Sequence, residues 1–256
     1  MENLTLGLDI GGSGIKGAIV DTNKGDFISE RVRIPTPKGI TVEALLGAIG
    51  EIKNELNWNG AIGCGFPGIV KDQVISTAAN LGDATFAGLN LAEEIGRIYN
   101  TSASVINDGD AAGIAEVKFG AGKDVNGVVI VLTVGTGIGS SIFYNGTLLP
   151  NTELGHLKDL ERKKRPKLVS AEKIYGDAAR KRQDLNWNEW ATQFNDYLAY
   201  VDRIFSPNLI ILGGGLASKT DKFAKYIRSN CDISIATLKN KAGIIGAAYE
   251  CARTLR

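Results

Sequence analysis

The run Asn107-Asp108-Gly109-Asp110-Ala111-Ala112 places a carboxylate at the end of a strand-like stretch. Glycine-rich hairpins lie before and after it in the chain, and Glu153-Leu154-Gly155-His156 follows. A carboxylate able to take a proton, backbone loops able to hold phosphate and a polar set able to grip several hydroxyls are the minimum for phosphorylating a hydroxyl. Asp108 is the candidate general base. A carboxylate just before a helix is also a preferred N-cap, so a purely structural role competes with the chemical one.

Two hairpins are candidate phosphate cradles. In Asp9-Ile10-Gly11-Gly12-Ser13-Gly14-Ile15-Lys16-Gly17, the glycines Gly11, Gly12 and Gly14 let backbone N–H groups converge on an anion. Ser13 adds a hydroxyl and Lys16 a positive charge. Asp9 could hold Mg²⁺ through water, because that ion keeps most of its hydration and takes one or two carboxylates. The second hairpin, Thr133-Val134-Gly135-Thr136-Gly137-Ile138-Gly139, offers the hydroxyls of Thr133 and Thr136 and the backbone of Gly135 and Gly137, but no charge. Each is also readable as a plain tight turn. A third run, Gly213-Gly214-Gly215, follows a strand and is expected to open a helix, whose N-terminus suits an adenosine or phosphate group.

Glu153 and His156 stand three apart and can converge on one ligand. His156 is the only histidine, which excludes a histidine-rich metal site, and a lone histidine is often structural. With Asn107 and Asp108 these side chains supply the donors and acceptors that a polyhydroxylated ring requires. The stretch Glu161-Arg162-Lys163-Lys164-Arg165-Pro166-Lys167 carries five positive charges. It reads as a solvated loop or as an electrostatic landing strip for a polyphosphate chain.

The elements that must position these residues mix strands and helices along the whole chain. Strands are expected at Leu4 to Ile10, Ile15 to Asp21, Phe27 to Ile34, Gly60 to Phe66, Ser104 to Ile106, Val128 to Val134, Ser140 to Tyr144 and Leu209 to Leu212. Helices are expected at Val42 to Leu56, Leu91 to Tyr99, Ala111 to Phe119, Ala171 to Lys181, Asn188 to Phe205 and Ala242 to Thr254. The glycines of both hairpins join two strands instead of opening a helix, which excludes the Rossmann fingerprint and the P-loop. The second hairpin repeats the first, so an internal duplication is expected. Gly120-Ala121-Gly122 stops a helix, and the boundary there divides an N-terminal lobe, 1–120, from a C-terminal lobe, 121–256.

Composition sets the remaining bounds. The 256 residues are 44% apolar and 22% charged, as in an ordinary globular protein. A net charge of +1 gives no field for nucleic acid or an anionic membrane surface. Cys64, Cys231 and Cys251 are widely spaced and odd in number, which suits a reducing compartment. The N-terminus has no signal-peptide pattern, so cytoplasmic residence and no membrane partner are expected.

The chain resembles the ROK family of sugar kinases, and within it the polyphosphate glucokinases. The resemblance rests on Leu6 to Gly17, Gly65-Phe66-Pro67-Gly68, Thr77-Ala78-Ala79-Asn80, Asn107-Asp108, Gly135 to Gly139, Pro150 to Leu157, Gly213-Gly214-Gly215 and Ala242 to Ala248. Pro150 to Leu157 carries the link to the polyphosphate branch. The resemblance implies an α/β fold of two actin-like, ribonuclease-H-like lobes flanking a cleft. It implies Asp108 as base, with Asn80, Asn107, Glu153, His156 and Glu172 on the sugar. The implied reaction moves the terminal phosphoryl group of inorganic polyphosphate or ATP, with Mg²⁺, to the 6-hydroxyl of glucose. An ATP-dependent kinase for mannose, fructose or N-acetylmannosamine and a non-catalytic sugar sensor are the alternatives. Many ROK proteins carry a cysteine-rich zinc motif after the histidine. None is present here, so no structural zinc is expected, nor an N-terminal DNA-reading domain. A homodimer is a family expectation.

Overall fold

The computed structural model describes residues 3–78, 81–158 and 169–255. Strands β1 (Leu4–Gly11) and β2 (Gly14–Asp21) pair antiparallel from Leu4↔Asp21 to Gly11↔Gly14, so Gly12-Ser13 is a two-residue turn. β3 (Asp26–Phe27) and β4 (Val32–Ile34) both pair with β2. The single strand expected at Phe27 to Ile34 is therefore broken. Ser29 breaks it, because its hydroxyl accepts from Ile19 N at 2.9 Å where a backbone carbonyl would otherwise continue the ladder.

β5 (Ile62–Phe66) runs parallel to β1, β6 (Val70–Lys71) and β7 (Val74–Ile75) form a separate ribbon, and β8 (Ala103–Asn107) runs parallel to β5. The sheet order is β3-β2-β1-β5-β8, with β4 also on β2. Alternation on β1 sends Leu6, Leu8 and Ile10 to one face, where all three are fully buried with Leu45, Ile49 and Ile52 of helix Val42–Glu55. The opposite face carries Gly7 on β1 and Gly63 on β5, and the C-terminal helix, Ala242–Thr254, lies directly on it. A Cβ at Gly7 would run into the Ile244 carbonyl oxygen and one at Gly63 into that of Ala247. Glycine is required there for close approach rather than for an unusual dihedral angle.

Further along the chain, β9 (Val128–Val134), β10 (Ile138–Tyr144) and β11 (Thr147–Leu149) form an antiparallel meander. β12 (Leu209–Gly213) joins β9 in parallel and β13 (Asp232–Ile235) joins β12 in parallel. The order β11-β10-β9-β12-β13 repeats β3-β2-β1-β5-β8 strand for strand, which is the duplication that the two hairpins announced. Its core adds an aromatic cluster to the aliphatic residues of the sheet. Trp190, Phe194 and Phe223 are buried, with Trp190 and Phe194 stacked at 4.8 Å, and each buried Phe contributes about 1.5–3 kcal/mol. Helix Trp187–Phe205 supplies most of it and starts at a capping box of Asn186 and Glu189.

Two expected helices are corrected. Ala171 to Lys181 is divided into Glu172–Tyr175 and Asp177–Arg182. The break at Gly176 lets Asp177 N donate to Gly135 O at 3.0 Å, a bond outside the helix that replaces one inside it. Gly213-Gly214-Gly215 leads into a 3-10 turn, Gly214–Lys219, and then a one-turn helix, Thr220–Phe223, not into a regular α-helix. The aligned dipole that motivated an adenosine or phosphate site at a helix start is reduced accordingly.

The described residues divide into two compact units, one within Met1–Ala115 and Lys241–Arg256, the other within Glu116–Asn240. The sequence boundary at 120/121 is thus displaced into helix Asp108–Phe119, and the C-terminal helix belongs to the first unit. Its buried Ile244, Ile245, Ala247, Ala248 and Cys251 need an apolar face that the glycine-bearing side of the first sheet provides. Among the described residues no helix is long and apolar enough to cross a membrane.

Candidate active site

In the first unit the hairpin register sets Asp9 opposite Lys16. Lys16 Nζ lies 2.8 Å from Asp9 Oδ2. Asp9 also faces the start of the C-terminal helix, where a Cβ on Gly243 would lie 3.5 Å from its carboxyl carbon. The carboxylate is held between a cation and the positive end of a helix. Among the described residues no three His, Cys, Asp or Glu side chains gather as a metal site. A single carboxylate fits a hydrated Mg²⁺ that arrives with phosphate oxygens, because that ion needs no all-protein cage.

Arg33 on β4 reaches the same turn: its Nη2 donates to Ser13 O at 2.8 Å, and the missing Cβ of Gly14 makes room for the guanidinium. Ser13 is exposed at the tip, and Thr36 Oγ1 donates to Gly11 O at 2.6 Å. Arg33 was not a sequence candidate. Only the β2–β4 register brings it to the hairpin.

Helix Asp108–Phe119 begins three residues earlier than its apolar pattern indicates. Asn107 is what caps it: its Oδ1 accepts from Asp110 N at 2.9 Å while its Nδ2 donates to Gly68 O at 2.9 Å. Capping therefore falls to Asn107, and Asp108 is the first helical residue, its Oδ1 accepting from Gly109 N at 2.8 Å. Asn107 is 9% exposed. With its oxygen and one N–H engaged, it has one amide hydrogen left for a ligand.

In the second unit, Glu153 and His156 lie on a segment fastened to β10. Ser140 Oγ donates to Thr152 O at 2.5 Å and accepts from Leu154 N at 2.8 Å. His156 Nδ1 is 3.1 Å from Glu153 Oε2, and its Nε2 is 3.9 Å from Glu172 Oε1. The imidazole thus stands between two carboxylates. Glu172 reaches it because Lys158 pairs with Ser170 and Ala171 N donates to Leu157 O at 2.7 Å. The ends of the intervening stretch are pinned together, so its length does not move Glu172. Asn80 and the basic run 161–167 lie outside the described residues.

The turn of the second hairpin closes through Gly135 N to Gly137 O at 2.9 Å, with Thr136 exposed at its tip. A Cβ on Gly135 would meet nothing within 4 Å, whereas one on Gly137 would run into the Glu172 carboxylate. Gly213 pairs with Thr133 in the sheet, and Gly214, at φ 70°, lies against Val134. Asp177, which fastens its own helix to Gly135, receives Lys219 at 2.7 Å, Arg180 at 2.8 Å and Lys181 at 3.3 Å. Burial alone would raise its pKa, but the three cations outweigh burial and hold it at about 2. Neither Asp177 nor these cations was a sequence candidate.

Each unit thus brings together one share of the expected residues: Asp9, Lys16, Asn107 and Asp108 in the first, Glu153, His156, Glu172 and the Gly135 and Gly213 loops in the second. The polyphosphate glucokinase of Mycobacterium tuberculosis (strain CDC 1551 / Oshkosh) is 40% identical over 244 residues, covering 95% of this chain and 89% of that protein. The structure of an inorganic polyphosphate/ATP-glucomannokinase from Arthrobacter sp. strain KM is 38% identical, with a TM-score of 0.89 over 98% of this chain and 99% of that one. A glucokinase from Streptomyces griseus, in complex with glucose and AMPPNP, has the same fold at 24% identity, with a TM-score of 0.78 over 98% and 99% of the two chains. The model of the ROK family matches residues 5–164, and the chain belongs to that family.

Proposed function

We propose that this protein is a glucokinase that transfers the terminal phosphoryl group of inorganic polyphosphate or ATP to the 6-hydroxyl of glucose. The observation that carries the reading is similarity at 40% and 38% identity, across nearly the whole of both chains, to two polyphosphate-using sugar kinases. The capping geometry supports it, since Asn107 carries the structural role that competed for Asp108.

In this reading the residues of the two units act on one set of substrates, as two lobes flanking a cleft. Asn107, Glu153, His156 and Glu172 orient the sugar, with Asn80 also assigned to it. Asp108 accepts the proton of the 6-hydroxyl as the new O–P bond forms and the terminal phosphoanhydride bond breaks. Lys16, Arg33 and the amides of the two hairpins meet the donor oxygens, and water is excluded because it is itself an acceptor. Mg²⁺, held by Asp9 through water, would supply charge neutralisation at those oxygens when bound.

Cytoplasmic residence belongs to the same proposal, as do the lack of a nucleic-acid partner and a homodimeric state. None of the three cysteines is in a disulfide, which suits a reducing compartment. Mannose is a second acceptor, favoured by the glucomannokinase relative. Initial rates with glucose and with mannose, against ATP and against long polyphosphate, test the reading. Hexose 6-phosphate should form as polyphosphate shortens. Activity with ATP alone would remove polyphosphate, and sugar binding without turnover would leave a sensor.

A further inference from the structure

The second hairpin is a phosphate cradle without a charge of its own, yet a surplus of cations is attached to it. Asp177 N donates to Gly135 O in the turn, and the Asp177 side chain, 9% exposed, gathers Arg180, Lys181 and Lys219. One carboxylate faces three cations, so among the described residues two positive charges at this point have no counter-charge.

The three cations are not equivalent. Arg180 is largely enclosed: its guanidinium lies over the Trp187 ring at 4.2 Å and its Nη1 donates to Leu185 O at 3.1 Å. That leaves it as an organiser. The side chains of Lys181 and Lys219 are 64% and 30% exposed, and both ammonium groups have donors beyond the one each gives to Asp177. Lys219 ends the turn that begins at Gly214, which itself lies against Val134 of the hairpin. Neither lysine touches Glu153, His156 or Glu172 in any described contact.

We infer that Lys181 and Lys219, ordered by Asp177 and Arg180, extend the donor site at the Gly135–Gly137 turn and bind phosphates of an inorganic polyphosphate chain beyond those held at the turn itself. A long chain of like charges gains from each further cation it reaches. A nucleotide gains less, because its anionic chain stops at the nucleoside. The inference rests on the glucokinase reading for the donor and adds the residues that distinguish one donor from the other.

The test is the variant Lys181→Gln with Lys219→Gln, which leaves the Arg180–Asp177 pair and its Trp187 packing intact, with Lys181→Gln alone as the milder form. Glucose phosphorylation is measured with ATP, tripolyphosphate and long polyphosphate, and binding of long polyphosphate is measured separately without sugar. Loss of two charge-assisted contacts should raise the KM for long polyphosphate by about tenfold or more, and raise those for tripolyphosphate and ATP by a smaller factor. Binding of long polyphosphate should weaken to match. An equal rise for all donors, or unaltered binding of long polyphosphate, would overturn the inference. Should the unmodified protein use no donor at all, the glucokinase reading fails, and the binding measurement still decides the two lysines. If the double variant does not fold, the exposed Lys181→Gln variant is judged by the same long-to-short KM ratio.

Discussion

The two hairpins occupy the same place in two sheets of the same strand order, yet they acquire charge differently. The first has Lys16 and Asp9 in its own strands, paired across the register, and gains Arg33 from the neighbouring strand. The second has only hydroxyls and amides, and its cations come from residues about forty or more positions away along the chain, fastened to it through Asp177. The strand that ends each sheet differs as well. β8 ends in Asn107 and presents Asp108. After β13 the chain continues through Thr237 and Leu238, whose amides donate to the Glu116 carboxylate at 3.1 and 2.7 Å. One copy of the fold presents an acid at that point, while the other binds one. In the proposed reading each glycine turn is a scaffold for phosphate, and its chemistry depends on what the surrounding strands and helices deliver to it.

The largest test of this asymmetry is Asp108→Asn. It should lower kcat by about 10²–10⁴ with little change in the unfolding midpoint, since Asn107 retains the cap; unaltered turnover would remove Asp108 from the chemistry. Lys16→Gln should reduce kcat/KM by about ten- to a hundredfold with ATP and polyphosphate alike, and Arg33→Gln by about tenfold. If Lys16→Gln proved selective for one donor, the first hairpin would share the discriminating role assigned to the second.

Asp177 yields a stability test. Its folded pKa, about 2, lies below the ordinary 3.8, so its stabilisation is fully present above about pH 4 and fades as pH falls toward 2. Chemical denaturation from pH 6 to 2 should show about 2 kcal/mol lost across that window, and Asp177→Asn should be less stable at pH 6 and flatter below pH 4. A parallel decline in both proteins would mean that the three cations do not stabilise the folded carboxylate. The smallest contrast lies within one turn. Gly137→Ala should raise the KM for glucose about tenfold by displacing the Glu172 carboxylate, while Gly135→Ala, with open space, should change it less than about twofold. Equal effects would separate Glu172 from the sugar.

Much of this was legible along the chain. The residues of β1, β2 and β9 alternate or run apolar over short lengths bounded by glycine. The helices at 91–99 and 242–254 carry their periodicity undisturbed, and so both were located from pattern alone. Asp108 was legible because a strand end and a helix start are local events, and Glu153 with His156 because three residues is a single turn. The interruptions were not legible. Ser29 breaks a strand because its hydroxyl meets Ile19, and Gly176 breaks a helix because the next amide meets Gly135. In each case a distant partner outcompetes the local hydrogen bond.

The same limit separates what the sequence determined from what the tertiary structure decided. The duplicated α/β plan, the candidate base and the glycine turns follow from short-range pattern, because dihedral preference and hydrophobic period act over a few residues. Where Arg33 lies, how Asn107 is anchored to Gly68, how Lys219 reaches Asp177 and why the last helix returns to the first sheet depend on contacts across tens to hundreds of positions. Chain closure brings those groups together, and burial and charge pairing then determine which contacts persist.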